Sequence, residues 1–298
     1  MTTKIVVMTT PEILPGQSVP LLKALHILTR EGQMNQDSRR KLKQVNHLFH
    51  FIEPLLRELA ERKPEFVLVD HGAGKSYLGF ILVDLFIKTH AAEAMVIGIE
   101  RRTDLVERAT ALAREAGFEN MRFLALDTQN ATQNAAFPQK VEIVTALHAC
   151  DTATDDAIGF GLKHEADYIV VVPCCQAEVA AALRRQKRPY DQDPISELWR
   201  RPLHTREFGS HVTNTLRCLQ LEAHGYQVTV TELVGWEHAM KNELIIATRK
   251  GKSQPMAAKK LLALLDRIGL PELQARYFLP DTSDTLSTPD VQPEEATE

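Results

Sequence analysis

The sequence predicts an α/β protein with a Rossmann-like, mostly parallel seven-stranded sheet, an antiparallel edge and a helical N-terminal extension. Short, mostly apolar runs alternate with helical patterns, which is typical of parallel strands that helices cover on both faces. Two later apolar runs, 227–234 and 242–250, follow each other without a helical pattern between them and indicate the antiparallel edge. The five earlier runs lie at 66–70, 95–100, 121–127, 141–151 and 167–175.

We expect four regions along the chain. Residues 1–62 form the N-terminal extension, 63–250 form the sheet domain, 251–280 form a C-terminal helix, and 281–298 form a disordered acidic tail. A polar stretch at about 188–210 breaks the alternation of strands and helices. We interpret this stretch as an insertion or lid, because long loops in compact domains are often functional.

The N-terminal extension contains a basic amphipathic helix. It begins at Asp37, which can cap it, and apolar residues recur at helical spacing through Ile52. Pro54 is expected to break or kink this helix because proline lacks a backbone N–H donor. The polar face carries four bases, Arg39, Arg40, Lys41 and Lys43.

Composition and charge narrow the class of protein. No apolar run reaches the roughly 18 residues that span a bilayer, and the N-terminus lacks the apolar core of a secretory signal. We therefore expect a cytoplasmic protein without a membrane partner. The net charge of -4 reflects the tail, since residues 1–280 hold 35 bases against 33 acids, a balance compatible with RNA contact. The sequence does not indicate an oligomeric state.

The segment 70–78, DHGAGKSYL, distinguishes two kinds of nucleotide site. A P-loop needs a glycine five residues before Gly74, and Val69 occupies that position. The carboxylate of Asp70 would also repel a phosphate. A strand, an acid, Gly72-x-Gly74 and a helix instead fit the first turn of a Rossmann-like site, with Ser76 where a third glycine is typical.

Acids end three successive predicted strands, at Asp70, Glu100 and Asp127. Ligands of open α/β sheets bind at the carboxyl ends of the strands, so these side chains are expected to lie at one site. Glu100 is placed to accept hydrogen bonds from ribose hydroxyls, and Asp127 is placed to meet an adenine. The alternative is that Glu100 and Asp127 cap the helices that follow them.

Six segments taken in order resemble the class I S-adenosylmethionine-dependent methyltransferases, over about residues 37–250. They are most similar to the group with the methyltransferase domain of the glutathione S-transferase C-terminal domain-containing protein, and to the tRNA ribose-O-methyltransferase branch. The resemblance implies the class I methyltransferase fold and S-adenosylmethionine as cofactor. Ser76 and Ala239-Met240 depart from the family pattern. The segments are DHGAGKSYL, GIE, LALD, ALHACDTATDDAI, VVPCCQ and GWEHAMKNELIIATR.

The resemblance also implies cofactor roles for particular residues. Asp70, Gly72 and Gly74 would hold the methionine part of the cofactor, Glu100 the ribose and Asp127 the adenine region. The implied cofactor-binding residues are Asp70, His71, Gly72, Ala73, Gly74, Tyr77, Glu100, Arg101, Asp127 and Leu147.

Candidate catalytic residues follow the fourth and fifth predicted strands. Methyl transfer needs an aligned nucleophile, and a base helps when that nucleophile is a hydroxyl or an ammonium. His148 is either a general base, a group that orients substrate or a structural histidine. Asp151 either holds a substrate donor or caps the helix that starts near Thr152. The candidates are His148, Asp151, Cys174 and Cys175.

The four cysteines are not spaced as a disulfide framework, so free thiols are expected. His148, Cys150, Cys174 and Cys175 form a possible soft-metal set if strands four and five are adjacent. Vicinal cysteines rarely ligate one zinc, however, so we expect no metal. The thiols are expected to pack at the floor of the pocket as small apolar groups.

A basic stretch interleaved with aromatic residues lies at 184–201. It either grips phosphates and stacks on bases, or forms an ordinary solvated helix face and loop. The favoured function is a methyltransferase that acts on tRNA or rRNA. The alternatives are a methyltransferase acting on protein or a small molecule, a P-loop-like NTPase, and a non-catalytic cofactor-binding module. The candidate RNA-binding residues are Arg184, Arg185, Arg188, Trp199, Arg200 and Arg201.

Overall fold

The computed structural model describes residues 13–278, except for 128–136, 139, 148, 175, 187–193 and 234–242. The described residues form two compact units. The first unit contains residues 13–178 and 227–249, and the second contains residues 179–226 and 250–278. The chain therefore leaves the first unit and returns to it, a division that differs from the consecutive regions expected from the sequence.

The first unit is built on a sheet of seven strands in the order β3-β2-β1-β4-β5-β7-β6. The pairs β1–β2, β1–β4, β2–β3 and β4–β5 are parallel, and β5–β7 is antiparallel. This topology confirms the predicted mostly parallel sheet with an antiparallel edge. The strands are β1 (Val67–His71), β2 (Met95–Glu100), β3 (Met121–Ala125), β4 (Ile143–Ala146), β5 (Tyr168–Val171), β6 (Tyr226–Glu232) and β7 (Glu243–Arg249).

The central strands are apolar at successive residues because both of their faces are buried. All four residues of β4 and all four of β5 are buried, and so are the last four residues of β1. Helices of the first unit include α3 (Tyr77–Leu82), α4 (Lys88–His90), α5 (Thr103–Glu115) and α6 (Thr152–Lys163). A π-helical turn, Val83–Ile87, joins α3 to α4.

The N-terminal extension forms α1 (Val19–Ala24) and α2 (Gln36–Arg62). The predicted break at Pro54 is wrong, because α2 continues through it. Ile52 and Leu56, on either side of the proline, are both fully buried, so packing of the apolar face offsets the missing hydrogen bond. The predicted cap at Asp37 is also wrong. Asn35 is the N-cap, and its side chain accepts a hydrogen bond from the Ser38 N–H at 2.8 Å.

A buried carboxylate ties the start of the chain to the helices around the sheet. Asp84, in the π-helical turn, accepts hydrogen bonds from the Ser18 backbone N–H at 2.7 Å and from Lys88 Nζ at 2.6 Å. Asp84 is only 2% exposed. Its charge is therefore balanced by two donors, as burial of a carboxylate requires.

The second unit is helical in its described part. It contains α7 (Glu178–Arg185), α8 (Pro202–Ala223), α9 (Pro255–Arg267) and α10 (Gln274–Tyr277), with 3-10 turns at Pro194–Trp199 and Pro271–Leu273. The expected insertion at 188–210 is thus largely helical where it is described, because it contains the 3-10 turn Pro194–Trp199 and the first residues of α8. No helix in the described ranges has the length and apolar character needed to cross a membrane.

Two helices of the second unit pack closely at a glycine. A Cβ placed on Gly209 of α8 would lie 2.7 Å from Ala180 Cβ and 2.8 Å from the Ala180 backbone nitrogen of α7. Backbone atoms cannot move aside as a flexible side chain can, so this contact requires glycine.

We therefore expect Gly209→Ala to destabilise the protein by about 1–3 kcal/mol, because an added methyl group overpacks the contact between α7 and α8. Urea unfolding followed by circular dichroism measures this loss. Gly159→Ala in α6 is the matched control, since a Cβ there meets no atom within 4 Å. That control should be neutral or stabilising by up to about 1 kcal/mol. Equal loss in both variants would contradict the packing argument.

Candidate active site

The candidate site lies where the strand order reverses, between β1 and β4. The loop after β1 contains three left-handed residues in alternation, with φ of +64° at Gly72, +59° at Gly74 and +54° at Ser76. Ser76 thus adopts the conformation that a third glycine would take, at a cost of about 1–2 kcal/mol. The Ala73 N–H donates to the Ile99 carbonyl at 2.9 Å and fixes this turn against β2.

Val69 lies inside β1, as the sequence indicates, so the turn is too short for the phosphate-wrapping loop of a P-loop. The turn approaches the segment after β4 closely. A Cβ on Gly72 would lie 3.6 Å from the Cα and Cβ of Ala149. The glycine turn therefore brings backbone, rather than side chains, to the carboxyl edge of the sheet.

Asp70 is the buried acid of the site and is only 2% exposed. Its Oδ1 accepts a hydrogen bond from Thr145 Oγ1 at 2.7 Å, across the β1–β4 pair. Burial raises the pKa of Asp70 to about 7, and the Thr145 bond offsets part of that rise. A carboxyl group with this pKa loses its proton and becomes negatively charged when a cationic group binds beside it.

Glu100 ends β2 and holds the glycine turn. Its Oε2 accepts from the Gly74 N–H at 2.9 Å, and its Oε1 accepts from the Arg102 N–H at 3.0 Å and from Arg102 Nε at 2.9 Å. Partial burial acts to raise the pKa of Glu100, but the bonds and charge of Arg102, together with the Gly74 bond, outweigh it and lower that pKa. Glu100 therefore stays ionised near neutral pH.

Arg102 lies at the site although the sequence pointed to its neighbour Arg101 instead. Arg101 is exposed, whereas the side chain of Arg102 returns to the strand-ending acid two residues before it. The sequence feature that indicates Arg102 is a basic residue placed two positions after the acid that ends a strand. The Arg102 side chain is 60% exposed, so its bonds to Glu100 are the ones that an incoming hydroxyl pair can replace.

The other implied cofactor residues surround the same edge. Tyr77 begins α3, Leu147 follows β4 and is buried, and Asp127 follows β3 by two residues and is partly buried. Ala73 packs over β2, since its Cβ lies 3.4 Å from the position of a Cβ on Gly98. The same Cβ would lie 2.7 Å from Phe123 Cδ1, so the glycine at Gly98 chiefly makes room for the Phe123 ring.

The side chain of His71 is fully buried beneath α6. Its ring centroid lies 4.6 Å from that of Phe160, and neither ring nitrogen has a hydrogen-bond partner among the described residues. Burial lowers the pKa of His71 to about 3, and the nearby His164 adds to the effect. The ring is therefore neutral and part of the core, which leaves only the His71 backbone for a ligand.

Two of the four candidate catalytic residues, His148 and Cys175, lie outside the described residues. Cys150 and Cys174 lie together, with 3.2 Å between their Sγ atoms. They follow the adjacent parallel strands β4 and β5, which end at Ala146 and Val171. Among the described residues, no group of three or more His, Cys, Asp or Glu side chains has the arrangement of a metal site.

Asp151 does not cap α6 with its side chain, so that alternative is wrong. Its φ of +51° and ψ of -122° lie outside the extended conformation in which a capping side chain reaches back to the helix. Its Oδ1 instead accepts from the Ala177 N–H at 2.8 Å and the Glu178 N–H at 3.2 Å, at the start of α7. Asp151 thus joins the segment after β4 to the segment after β5.

Some of the residues predicted to bind RNA are exposed on the surface, and others are not. Arg184, Arg185, Arg200 and Arg201 are exposed, whereas Arg188 lies outside the described residues. Trp199 is a correction, because it is 6% exposed and its ring stacks on Phe208 at 4.9 Å in the core of the second unit. A ring held there cannot stack on a base without unpacking that core.

S-adenosylmethionine carries an ammonium, a carboxylate and two ribose hydroxyls, and the described residues match these groups. The Glu100 carboxylate stays ionised and can accept from the hydroxyls, and Asp70 is a buried acid that a cation can complement. The N–H groups of Ala73, Gly74 and Ser76 already donate to Ile99, Glu100 and Ala73, so a cofactor carboxylate would have to use the remaining N–H groups of the turn. The sheet order and the strand-end acids are typical of class I S-adenosylmethionine-dependent methyltransferase domains.

Comparison with known proteins agrees with this class. Residues 40–182 match a family described as a methyltransferase domain. The chain is 28% identical over 179 residues to the glutathione S-transferase C-terminal domain-containing protein of Bos taurus, covering 60% of this chain and 25% of the relative. The human protein of that name is 29% identical over 147 residues, covering 49% of this chain and 20% of the relative. The chain thus spans about a quarter or less of these curated relatives.

Solved structures of methyltransferases are also similar. Magnesium protoporphyrin IX methyltransferase from Synechocystis, with bound S-adenosylhomocysteine, is 14% identical with a TM-score of 0.45, covering 78% of this chain and 93% of that chain. A SAM-dependent methyltransferase from Aquifex aeolicus is 18% identical with a TM-score of 0.39, covering 65% and 87%. Both TM-scores lie below 0.5, so these two structures carry no argument about the activity of this chain.

We expect Glu100→Gln to weaken the binding of S-adenosylhomocysteine about 10- to 100-fold, because hydrogen bonds to a charged group contribute about 1.5–3 kcal/mol. Calorimetric titration measures the change, and thermal melting shows that the variant is folded. Glu107→Gln is the matched control, since Glu107 is an exposed carboxylate on α5. Unchanged affinity in a folded Glu100→Gln protein would remove Glu100 from the cofactor site.

The raised pKa of Asp70 predicts a pH-dependent effect of Asp70→Asn on stability. The folded protein keeps a proton on Asp70 up to about pH 7, whereas the unfolded chain loses it near pH 4. Folding therefore becomes less favourable as the pH rises between these values, by at most about 1.4 kcal/mol per pH unit, and the variant avoids this loss. The midpoint of urea unfolding, relative to the parent, should rise for Asp70→Asn from pH 5 to 7 and level off above.

Comparison with the parent removes the contribution of His71, which acts in the opposite sense and is shared by both proteins. Asp104→Asn is the control, because Asp104 is an exposed carboxylate on α5. A constant difference between Asp70→Asn and the parent from pH 5 to 8 would show that Asp70 is ionised throughout.

Proposed function

We propose that this protein is an S-adenosylmethionine-dependent methyltransferase that acts on RNA, with tRNA or rRNA as the substrate. The observation that supports it most is the exposed pair Arg184 and Arg185 in the last turn of α7. Among the described residues, no ion pair involves either guanidinium. Unpaired arginines on a surface are suited to phosphate, which they bind in a bidentate manner.

The end of α7 is held firmly within the second unit. Gln186 Nε2 donates to the Ile268 carbonyl at 2.9 Å and to the Gly269 carbonyl at 2.7 Å, at the end of α9. The two arginines therefore project from an anchored helix end. Arg200 contributes less, because its Nη1 already donates to Glu197 Oε1 at 2.8 Å.

A second basic surface supports the same proposal within the first unit. Arg39, Arg40, Lys41 and Lys43 are exposed on the first turns of α2. Phosphate contacts of this kind supply affinity and position, and they carry little sequence information. The proposal thus concerns the class of substrate, and not a particular nucleotide.

Methyl transfer requires the protein mainly to align the cofactor with the group that receives the methyl. The cofactor, when bound, supplies a methyl group on a sulfonium, and the acceptor must lie in line with it. Asp151 is a poor base, since its Oδ1 already accepts two backbone N–H groups. We therefore propose that His148 accepts the proton from the ribose hydroxyl or base nitrogen that receives the methyl group. Asp70 and Glu100 interact with the cofactor and not with the RNA.

The test is transfer of a radiolabelled methyl group from S-adenosylmethionine. The purified chain is incubated with bulk tRNA, bulk rRNA, total protein and a small-molecule extract, each made from cells that lack this protein. We expect label in one RNA fraction, lost after ribonuclease digestion and retained after protease digestion. Label in the protein or small-molecule fraction alone would overturn the RNA assignment and leave the methyltransferase class intact.

The electrostatic part of the proposal predicts a salt effect. Removing both charges with Arg184→Gln/Arg185→Gln should lower RNA affinity, and should reduce the slope of log K against log salt by roughly 1–2 units, about 0.7–0.9 for each lost contact. Fluorescence anisotropy with a labelled tRNA measures both quantities.

Lys259→Gln/Lys260→Gln is the matched control, because these two exposed bases on α9 remove the same charge from the same unit. An equal change of slope in both double variants would indicate a general charge effect. In that case α7 would not be a contact surface for RNA.

A further inference from the structure

Two thiols lie side by side at the carboxyl edge of the sheet. Cys150 follows β4 and is exposed, Cys174 follows β5 and is partly exposed, and neither is in a disulfide. Their Sγ atoms are 3.2 Å apart although the residues are 24 positions apart in the chain. The parallel pairing of β4 with β5 brings them together.

This separation is within reach of a covalent bond. A disulfide has an S–S distance of about 2.05 Å, so the sulfurs need to approach by roughly 1.2 Å. Both cysteines lie beyond the ends of their strands, where backbone adjusts more easily than inside a sheet. Asp151 already holds the same two segments together through Ala177 and Glu178.

The segment that contains Cys150 also contacts the glycine turn. Ala149, the preceding residue, lies within 3.6 Å of the position of a Cβ on Gly72. The Ala149 carbonyl accepts a hydrogen bond from Thr154 Oγ1 at 2.5 Å, so α6 fixes its place. Because Cys150 is joined to Ala149, a displacement of Cys150 toward Cys174 pulls on the segment against which the glycine turn packs, and the bond to α6 resists that pull.

We propose that Cys150 and Cys174 are a reversible thiol–disulfide site, oxidised by a low-molecular-weight disulfide such as oxidised glutathione, and that the oxidised protein binds the cofactor more weakly. The disulfide itself is independent of the proposed function, whereas its effect on the cofactor rests on it. Cys150 is the attacking thiol because it is the more exposed of the two.

The exchange balances in atoms and electrons. The Cys150 thiolate attacks one sulfur of oxidised glutathione, which breaks the S–S bond and releases one glutathione thiolate. The Cys174 thiolate then attacks Cys150 Sγ in the mixed disulfide and releases the second glutathione thiolate. The two protons lost by the protein thiols go to the two glutathione thiolates. The protein loses two electrons, and one oxidised glutathione gains them.

The first test counts thiols. The full chain is equilibrated in buffers of varied ratio of reduced to oxidised glutathione, alkylated, and analysed by mass spectrometry with peptide mapping. We expect a reversible loss of two thiols, with the peptides of Cys150 and Cys174 linked. Cys150→Ser and Cys174→Ser should each abolish the link, and Cys218→Ser should retain it.

Any other result overturns the site. A link that uses Cys175 or Cys218, a bond only between two chains, or two free thiols at the highest ratio of oxidised glutathione would each exclude the proposed pair. These readouts need no cofactor, so they decide the proposal even if the protein binds none.

The second test measures coupling to the cofactor site. S-adenosylhomocysteine is titrated into the reduced and the oxidised protein in a calorimeter. We expect affinity several-fold lower in the oxidised protein and restored by dithiothreitol, with no such difference in Cys150→Ser treated in the same way. Equal affinities with a confirmed disulfide would overturn the coupling. No binding by the reduced protein would contradict the proposed function instead.

Discussion

The hydrogen bond from Thr145 to Asp70 joins β1 to β4 at the point on which the rest of the site depends. Because β1 is buried on both faces, the acid at its end cannot turn to water. Burial raises the pKa of Asp70, and Thr145 is the donor that the described residues supply to it. The turn that follows must leave the strand at once, and its left-handed residues allow this. The chemistry of the site thus follows from the place of one strand in the sheet.

The sheet and its ligand edge could be predicted from the sequence because both depend on local pattern. Continuous apolar runs require strands buried on both faces, and the acids at their ends mark the carboxyl edge. Contacts between residues that are far apart in the chain produce no comparable local pattern in the sequence. Pro54 is tolerated inside α2 because Ile52 and Leu56 are anchored in the core, and Asp151 bonds to residues 26 and 27 positions away. The sequence does not show that Trp199 stacks on Phe208, and this contact makes the tryptophan a core residue and not a base-stacking group.

The division of the chain was the largest difference between expectation and structure. The second unit is formed by residues 179–226 and 250–278, which flank β6 and β7 in sequence. Its helices carry their own apolar cluster, which includes Val179, Leu216 and Leu261. The sequence predicts the C-terminal helix of this unit, but it cannot show which helices pack together, because a periodic pattern indicates a buried face without identifying the partner of that face.

The place of β7 has a consequence for how the chain is made. Strand β7 pairs with β5, and β6 lies beyond it at the sheet edge. On a ribosome, β5 emerges about 70 residues before β7, so it remains the open border of a half-built sheet while the intervening helices are synthesised. An unpaired apolar border is a template for wrong association between chains. Because α9 and α10 follow β7 in the chain, the second unit is completed only after the strand that pairs with this border has been synthesised.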